Sequence, residues 1–106
     1  MTLQEIALEI EKYMPLNDFL NTHKRLAELR SQEDEALKAL AQLQQAYLAA
    51  ATDQQRDAVK TMVGQIREIS RETRLEIRSL NTTIHSRLPL DQAKELYARY
   101  TETEKV

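Results

Sequence analysis

Apolar residues recur every three or four positions along almost the whole chain, and polar breaks cut the pattern into four stretches. In the first, Leu3, Ile6, Ala7, Ile10, Tyr13 and Met14 form one stripe at helical period. Thr2 and Glu5 have the spacing of a capping box, and Pro15 disfavours helical geometry in the residue before it. This predicts a helix over about 2–14. The second stretch reads Phe19, Leu26, Leu29, Ala36, Leu40, Leu43, Tyr47, Ala50, a heptad pattern interrupted by Thr22 and Glu33. Asn17 or Asp18 is the expected N-cap, giving a helix over about 17–51. Thr52 and Asp53 mark a break, with Asp53 expected to cap the next helix, over about 53–88. Its stripe is Val59, Met62, Ile66, Ile69, Thr73, Ile77, Leu80, Ile84, Leu88. From Ile66 onward the mean step is about 3.67, the spacing of an eleven-residue repeat, which favours a straight or slightly right-handed pair. Pro89 ends it. Asp91 is the expected cap of a last helix over about 90–102, with Leu90, Ala93, Leu96, Tyr97 and Tyr100 on one side. The polar tail from Thr101 is expected to fray.

The order short–long–long–short predicts an all-α fold: an antiparallel, coiled-coil-like hairpin with short N- and C-terminal helices, in a single domain over 1–106. The competing arrangement is one unbroken helix through Thr52, which would need a partner along its whole length. Each long helix spans roughly 50 Å at 1.5 Å per residue. The short helices cover about a third of that, so much of the seam is only two helices thick, a poor core. Dimerisation into a helical bundle is the expected remedy. Its seam would comprise Leu26, Leu29, Leu40, Leu43, Tyr47, Ile66, Ile69, Ile77, Leu80 and Ile84.

Composition removes the alternatives. One glycine and two prolines in 106 residues exclude folds that need glycine at tight turns and phosphate loops. With no cysteine, there are no disulfides and no thiolate metal sites. No apolar run approaches the roughly 18 residues of a membrane helix. The N-terminus carries acid rather than base before its apolar positions, unlike a secretory leader. A cytoplasmic location is expected. The net charge of −2 offers no whole-molecule attraction for nucleic acid or anionic membrane.

Charge is segregated, however. Arg67, Arg71, Arg74 and Arg78 lie in one narrow stripe of the third helix, extended by Arg56 and Lys60. Glu68, Glu72 and Glu76 lie on the opposite flank. In the hairpin, Arg30, Lys38 and His23 fall on the arginine side with Asp34 among them, and Glu28 and Glu35 on the glutamate side. Ordinary solvated helix faces could look like this. Like charges at i,i+4 carry a small cost, which a partner of complementary charge would relieve. Leu75, amid the arginines, is a candidate partner contact. Leu8 and Leu48 are also off their stripes. Glu33, on the seam, lies level with residue 71, so Arg71, or Arg67 or Arg74 one turn away, could reach it and set register. Gly64 lies beside the seam inside a helix, where it costs about 1 kcal/mol relative to alanine.

His23 and His85 are the weak metal candidates, on one flank near Asp18. No paired-histidine or HExxH element accompanies them, and no spacing points to a catalytic group, so neither enzyme activity nor a cofactor is expected. The stretch Leu88-Pro89-Leu90-Asp91-Gln92 resembles the L-T-x-x-Q element of small periplasmic stress chaperones and metal sensors, which are dimerising helical hairpins. Proline stands where that element has threonine. In size and style the chain also resembles small phage- or plasmid-encoded bacterial regulators and secretion-system chaperones. The expected function is a small helical adaptor or inhibitor that docks on another protein. A metal- or stress-responsive hairpin chaperone is one alternative. A nucleic-acid binder using the arginine edge is the other, disfavoured because no aromatic is interleaved for base stacking.

Overall fold

The computed structural model describes residues 2–105 and contains four helices: α1 (Leu3–Glu11), α2 (Leu16–Ala49), α3 (Asp53–His85) and α4 (Leu90–Glu104). The all-α hairpin is as expected, and the chain breaks near Thr52 rather than running through it. The cap of α1 is as expected; the starts of α2, α3 and α4 differ from expectation by one to three residues, and each difference has a local cause. At α1 the Thr2 hydroxyl accepts from the Glu5 amide at 3.2 Å, the predicted box. At α2 the Pro15 carbonyl accepts from the Phe19 amide at 3.0 Å, so Pro15 precedes the helix and Asn17 and Asp18 fall in its first turn. A carboxylate in that position still favours the helix through its dipole. At α3 the cap is Thr52, not Asp53. The Thr52 hydroxyl accepts from the Gln55 amide at 3.2 Å, and Gln55 Oε1 reaches back to the amides of Ala51 and Thr52. Threonine followed three residues later by glutamine is the capping-box signal. At α4 the cap is Pro89, with Asp91 in the first turn. That helix continues to Glu104, beyond the expected start of fraying at Thr101.

The chain divides into two compact units. One comprises residues 2–27 with 78–105 and holds four helical pieces: α1, the start of α2, the end of α3, and α4. Its core is Ile6, Ile10, Met14, Phe19, Leu26, Ile84, Leu88, Ala93 and Leu96, all buried. α1 packs on α4, and Gln92 Nε2 donates to Tyr13 Oη at 3.1 Å. The two proline corners are built alike. Ile10, Met14, Pro15 and Leu16 recur as Ile84, Leu88, Pro89 and Leu90, each 74 positions on. In both corners the isoleucine carbonyl accepts two turn amides: Tyr13 and Met14 in the first, Arg87 and Leu88 in the second. In both, the proline carbonyl accepts the first bond of the helical i→i−4 ladder, from the amide of Phe19 or Ala93. His23 and Tyr97 are equivalent by the same displacement, and their rings stack on each other at 4.7 Å.

The second unit, Glu28–Ile77, is the hairpin of the remaining halves of α2 and α3. The α2 seam is as read from Leu29 to Leu43, where Leu29, Glu33, Ala36, Leu40 and Leu43 are buried or half-buried, but Tyr47, read as a seam residue, is exposed. The α3 seam is not. Val59, Val63, Ile66, Ser70, Thr73 and Ile77 turn inward, while Met62 and Ile69 are more than half exposed. Continued through Leu80 and Ile84, these positions step 4, 3, 4, 3, 4, 3, 4, which is a heptad, not the eleven-residue repeat. α2 already runs at heptad spacing, and partners in a long pair keep contact only by sharing a period. The burial line therefore passes through Ser70 although Ile69 is the apolar residue.

Candidate functional site

Burial separates the two units. Nearly all fully buried apolar residues belong to the four-helix unit, and Leu29 is the buried apolar residue of the hairpin unit among those described. Exposed large hydrophobics show the reverse. Leu37, Tyr47, Leu48, Met62, Ile69 and Leu75 are all in the hairpin unit, against Leu8 in the other. Two helices alone cannot close a core. Each face of the pair leaves the seam open to solvent.

One of these faces is a groove of about 790 Å³. Leu37, Leu40, Gln44 and Tyr47 of α2 form one wall, and Val59, Lys60, Val63, Gly64 and Arg67 of α3 form the other. From Leu37 to Tyr47 it runs roughly 15 Å along the helix. Gly64 leaves the α3 wall low, and a β-carbon at that position would meet nothing within 4 Å. Hence the packing of the hairpin itself does not require glycine there. Lys60 Nζ lies 5.9 Å from the centre of the Tyr47 ring, a weak cation–π contact. The residues lining this groove include two cations and no carboxylate. On the opposite face a shallower hollow of about 430 Å³ is lined by Ala39, Gln42, Leu43, Ala46, Met62, Gln65 and Ile66.

The arginine stripe borders the groove because the α3 seam runs through Ser70. One residue is 100° on a helix, so burying Ser70 instead of Ile69 turns the seam toward the arginines. Arg67 comes to line the groove. Arg74 Nε donates to Glu33 Oε1 at 3.1 Å, which makes Arg74, of the three arginines expected within reach, the partner of Glu33. Ser70 and Thr73 are buried at the same level, and Thr73 Oγ1 donates to the Ile69 carbonyl at 2.9 Å. The result is a polar layer across an otherwise apolar seam. Arg71 is exposed, and no carboxylate among the described residues pairs with it or with Arg67. Arg56 pairs with Asp53 at 2.8 Å. Arg78, the last of the predicted row, is exposed and belongs to the four-helix unit. Leu75, Glu68, Glu72 and Glu76 are exposed in the hairpin unit, as expected.

Other expectations are corrected. Leu26, Leu29 and Ile84, placed in an oligomer seam, are closed inside their own chain at 2%, 1% and 0% exposure. Ile69, placed in the same seam, lies off it. His23 is buried against Phe19 and Tyr97, while His85 is exposed, so the two do not form a solvent-facing pair beside Asp18. Among the described residues no group of three or more His, Cys, Asp or Glu side chains could hold a metal ion. Among them, too, no helix is long and apolar enough to cross a membrane. Lys12 donates to Glu9 at 2.9 Å. That hydrogen bond, then the carboxylate charge, raises the Lys12 pKa above the ordinary lysine value. The pair is solvated and forms no site.

The stripe reading missed Leu37, Val63 and Ala41 as groove residues. The signal was present. Carrying the α2 heptad across to α3 selects Val63 over Met62. Compared with known protein families, curated proteins and solved structures, the chain matches none.

Proposed function

We propose that this chain is a non-enzymatic protein–protein interaction module, a small adaptor or inhibitor that docks on a partner through the hairpin unit. The observation that carries the reading is the concentration of exposed apolar side chains on residues 28–77. Two of them, Leu37 and Tyr47, line the groove between α2 and α3, and an exposed apolar groove marks an interaction site on a small protein. The four-helix unit has a closed core and serves as the fold's anchor. The hairpin unit, with its open seam and charged edges, is what remains for a partner. A cytoplasmic setting fits a chain without cysteine.

The dimer expected from the long seam competes for the same surface. A two-fold dimer sets a patch against itself. Across the groove this would bring Lys60 and Arg67 of one copy against their like, with no carboxylate lining it to compensate. We therefore assign the groove to a different protein.

The test is site-specific photo-crosslinking in the native host, with the reactive group placed at Val63 and, separately, at Leu8. One adduct at Val63, absent at Leu8 and lost when Leu37→Ser is combined with Val59→Ser, is expected. Adducts of equal yield at both positions, or none at Val63, would remove the hairpin as the docking element.

A further inference from the structure

We infer that the partner segment is an acidic amphipathic helix of about three turns, seated in the Leu37–Tyr47 groove. This rests on the docking reading above and adds the chemistry and shape of what docks. Three observations meet at one place. The groove is apolar along its floor and about 15 Å long, the length of roughly three helical turns. An apolar helix stripe read at i, i+3, i+4 and i+7 is the usual occupant of such a channel. Its charge has one sign: Lys60 and Arg67 line it, Arg71 continues the stripe, and no carboxylate shares the lining. Desolvating those cations against an apolar partner would be unfavourable, whereas glutamate or aspartate on the flanks of the incoming helix offsets that cost. Third, Gly64 lowers one wall at a position where a β-carbon would meet nothing of this chain within 4 Å. A glycine in mid-helix weakens the helix. The space it leaves is what the backbone of a second helix needs for close approach.

The probe is a fluorescent 18-residue designed peptide with leucines at i, i+3, i+4 and i+7 and glutamates on both flanks. Its twin carries lysine for every glutamate. Binding to the full chain is followed by anisotropy, with sedimentation run in parallel. The glutamate peptide is expected to bind saturably, at least tenfold tighter than the lysine twin. Gly64→Leu and Arg67→Glu should each weaken it tenfold or more while helicity stays unchanged. The Gly64 β-carbon position is open, so Gly64→Ala should leave the hairpin's melting point unchanged, and Gly64→Leu is read only where circular dichroism shows the wild-type melt. His85→Ala should leave binding as it was. Equal binding of the two peptides, still blocked by Gly64→Leu, would overturn the acidic partner and leave the docking reading standing. Binding of neither peptide would overturn the inference, while the Val63 crosslink still decides the reading beneath it. A dimer that Gly64→Leu dissolves would make a second copy the occupant and overturn it as well.

Discussion

Glu33 shows how one residue can matter more for specificity than for stability. It sits half-buried in the α2 seam, where leucine would serve the hairpin better. Its bond to Arg74 is largely solvated, since the arginine side chain is 61% exposed, so the pair contributes at most a few tenths to 1 kcal/mol. With Ser70 and Thr73 at the same level, it makes a polar layer that disfavours slipped alignments of α2 on α3, as polar seam residues do in coiled coils. Glu33→Leu should therefore raise the midpoint of thermal unfolding, by about 1 kcal/mol of stability, because it extends apolar burial and leaves Arg74 in water. Circular dichroism melts measure this. A loss of stability would mean that the ion pair, not the apolar contact, holds that level of the hairpin.

At the scale of elements, the four helices are started by two devices. Side-chain caps open α1 and α3, and proline carbonyls open α2 and α4. The α2–α3 connection depends on the first device. Thr52 and Gln55 satisfy the amides that a helix start leaves without partners. Asp53 contributes an exposed ion pair and a favourable charge at the helix start. Thr52→Ala is accordingly expected to cost about 1 kcal/mol in urea unfolding, and Asp53→Ala clearly less. The reverse ranking would return the cap to Asp53. The element existence and most α2 positions could be read from periodicity, as Phe19, Leu26 and Leu40 illustrate. The phase of α3 could not. Ile69 and Ser70 are adjacent, and local hydrophobicity chooses the isoleucine. Only registration with the α2 heptad chooses the serine.

At the scale of the whole molecule, stability and interaction surface are divided between the two units. In the four-helix unit Phe19 and Ile84 have no exposed surface, so Ile84→Ala should cost 2–5 kcal/mol and show cooperative loss of structure. In the hairpin unit Leu43 is only half-buried, and Leu43→Ala should cost less than half as much. Native-state hydrogen exchange extends the comparison to every amide. Those around Ile10, Leu26, Ile84 and Leu96 should be protected far longer than those between residues 36 and 66, because opening free energy follows buried apolar contact. Equal protection would mean that the hairpin unit is covered in solution, by a second copy or by a contact of another kind.

By itself, the sequence determined that this chain is helical and where its prolines and capping residues can interrupt the helices; it favoured a hairpin over one unbroken helix through Thr52 without deciding it. Those features are set by neighbours in the chain: proline geometry, capping spacings and a three-to-four-residue apolar period act within a few residues of where they are written. It also placed the arginines on one stripe, since residues four apart share a helix face. Tertiary structure alone decided which side of α3 faces α2, which arginine meets Glu33, and that His23 is closed against Tyr97 while His85 is not. These depend on registration between segments tens of residues apart. A single-residue change of phase there turns a helix by 100° and exchanges a buried side chain for an exposed one.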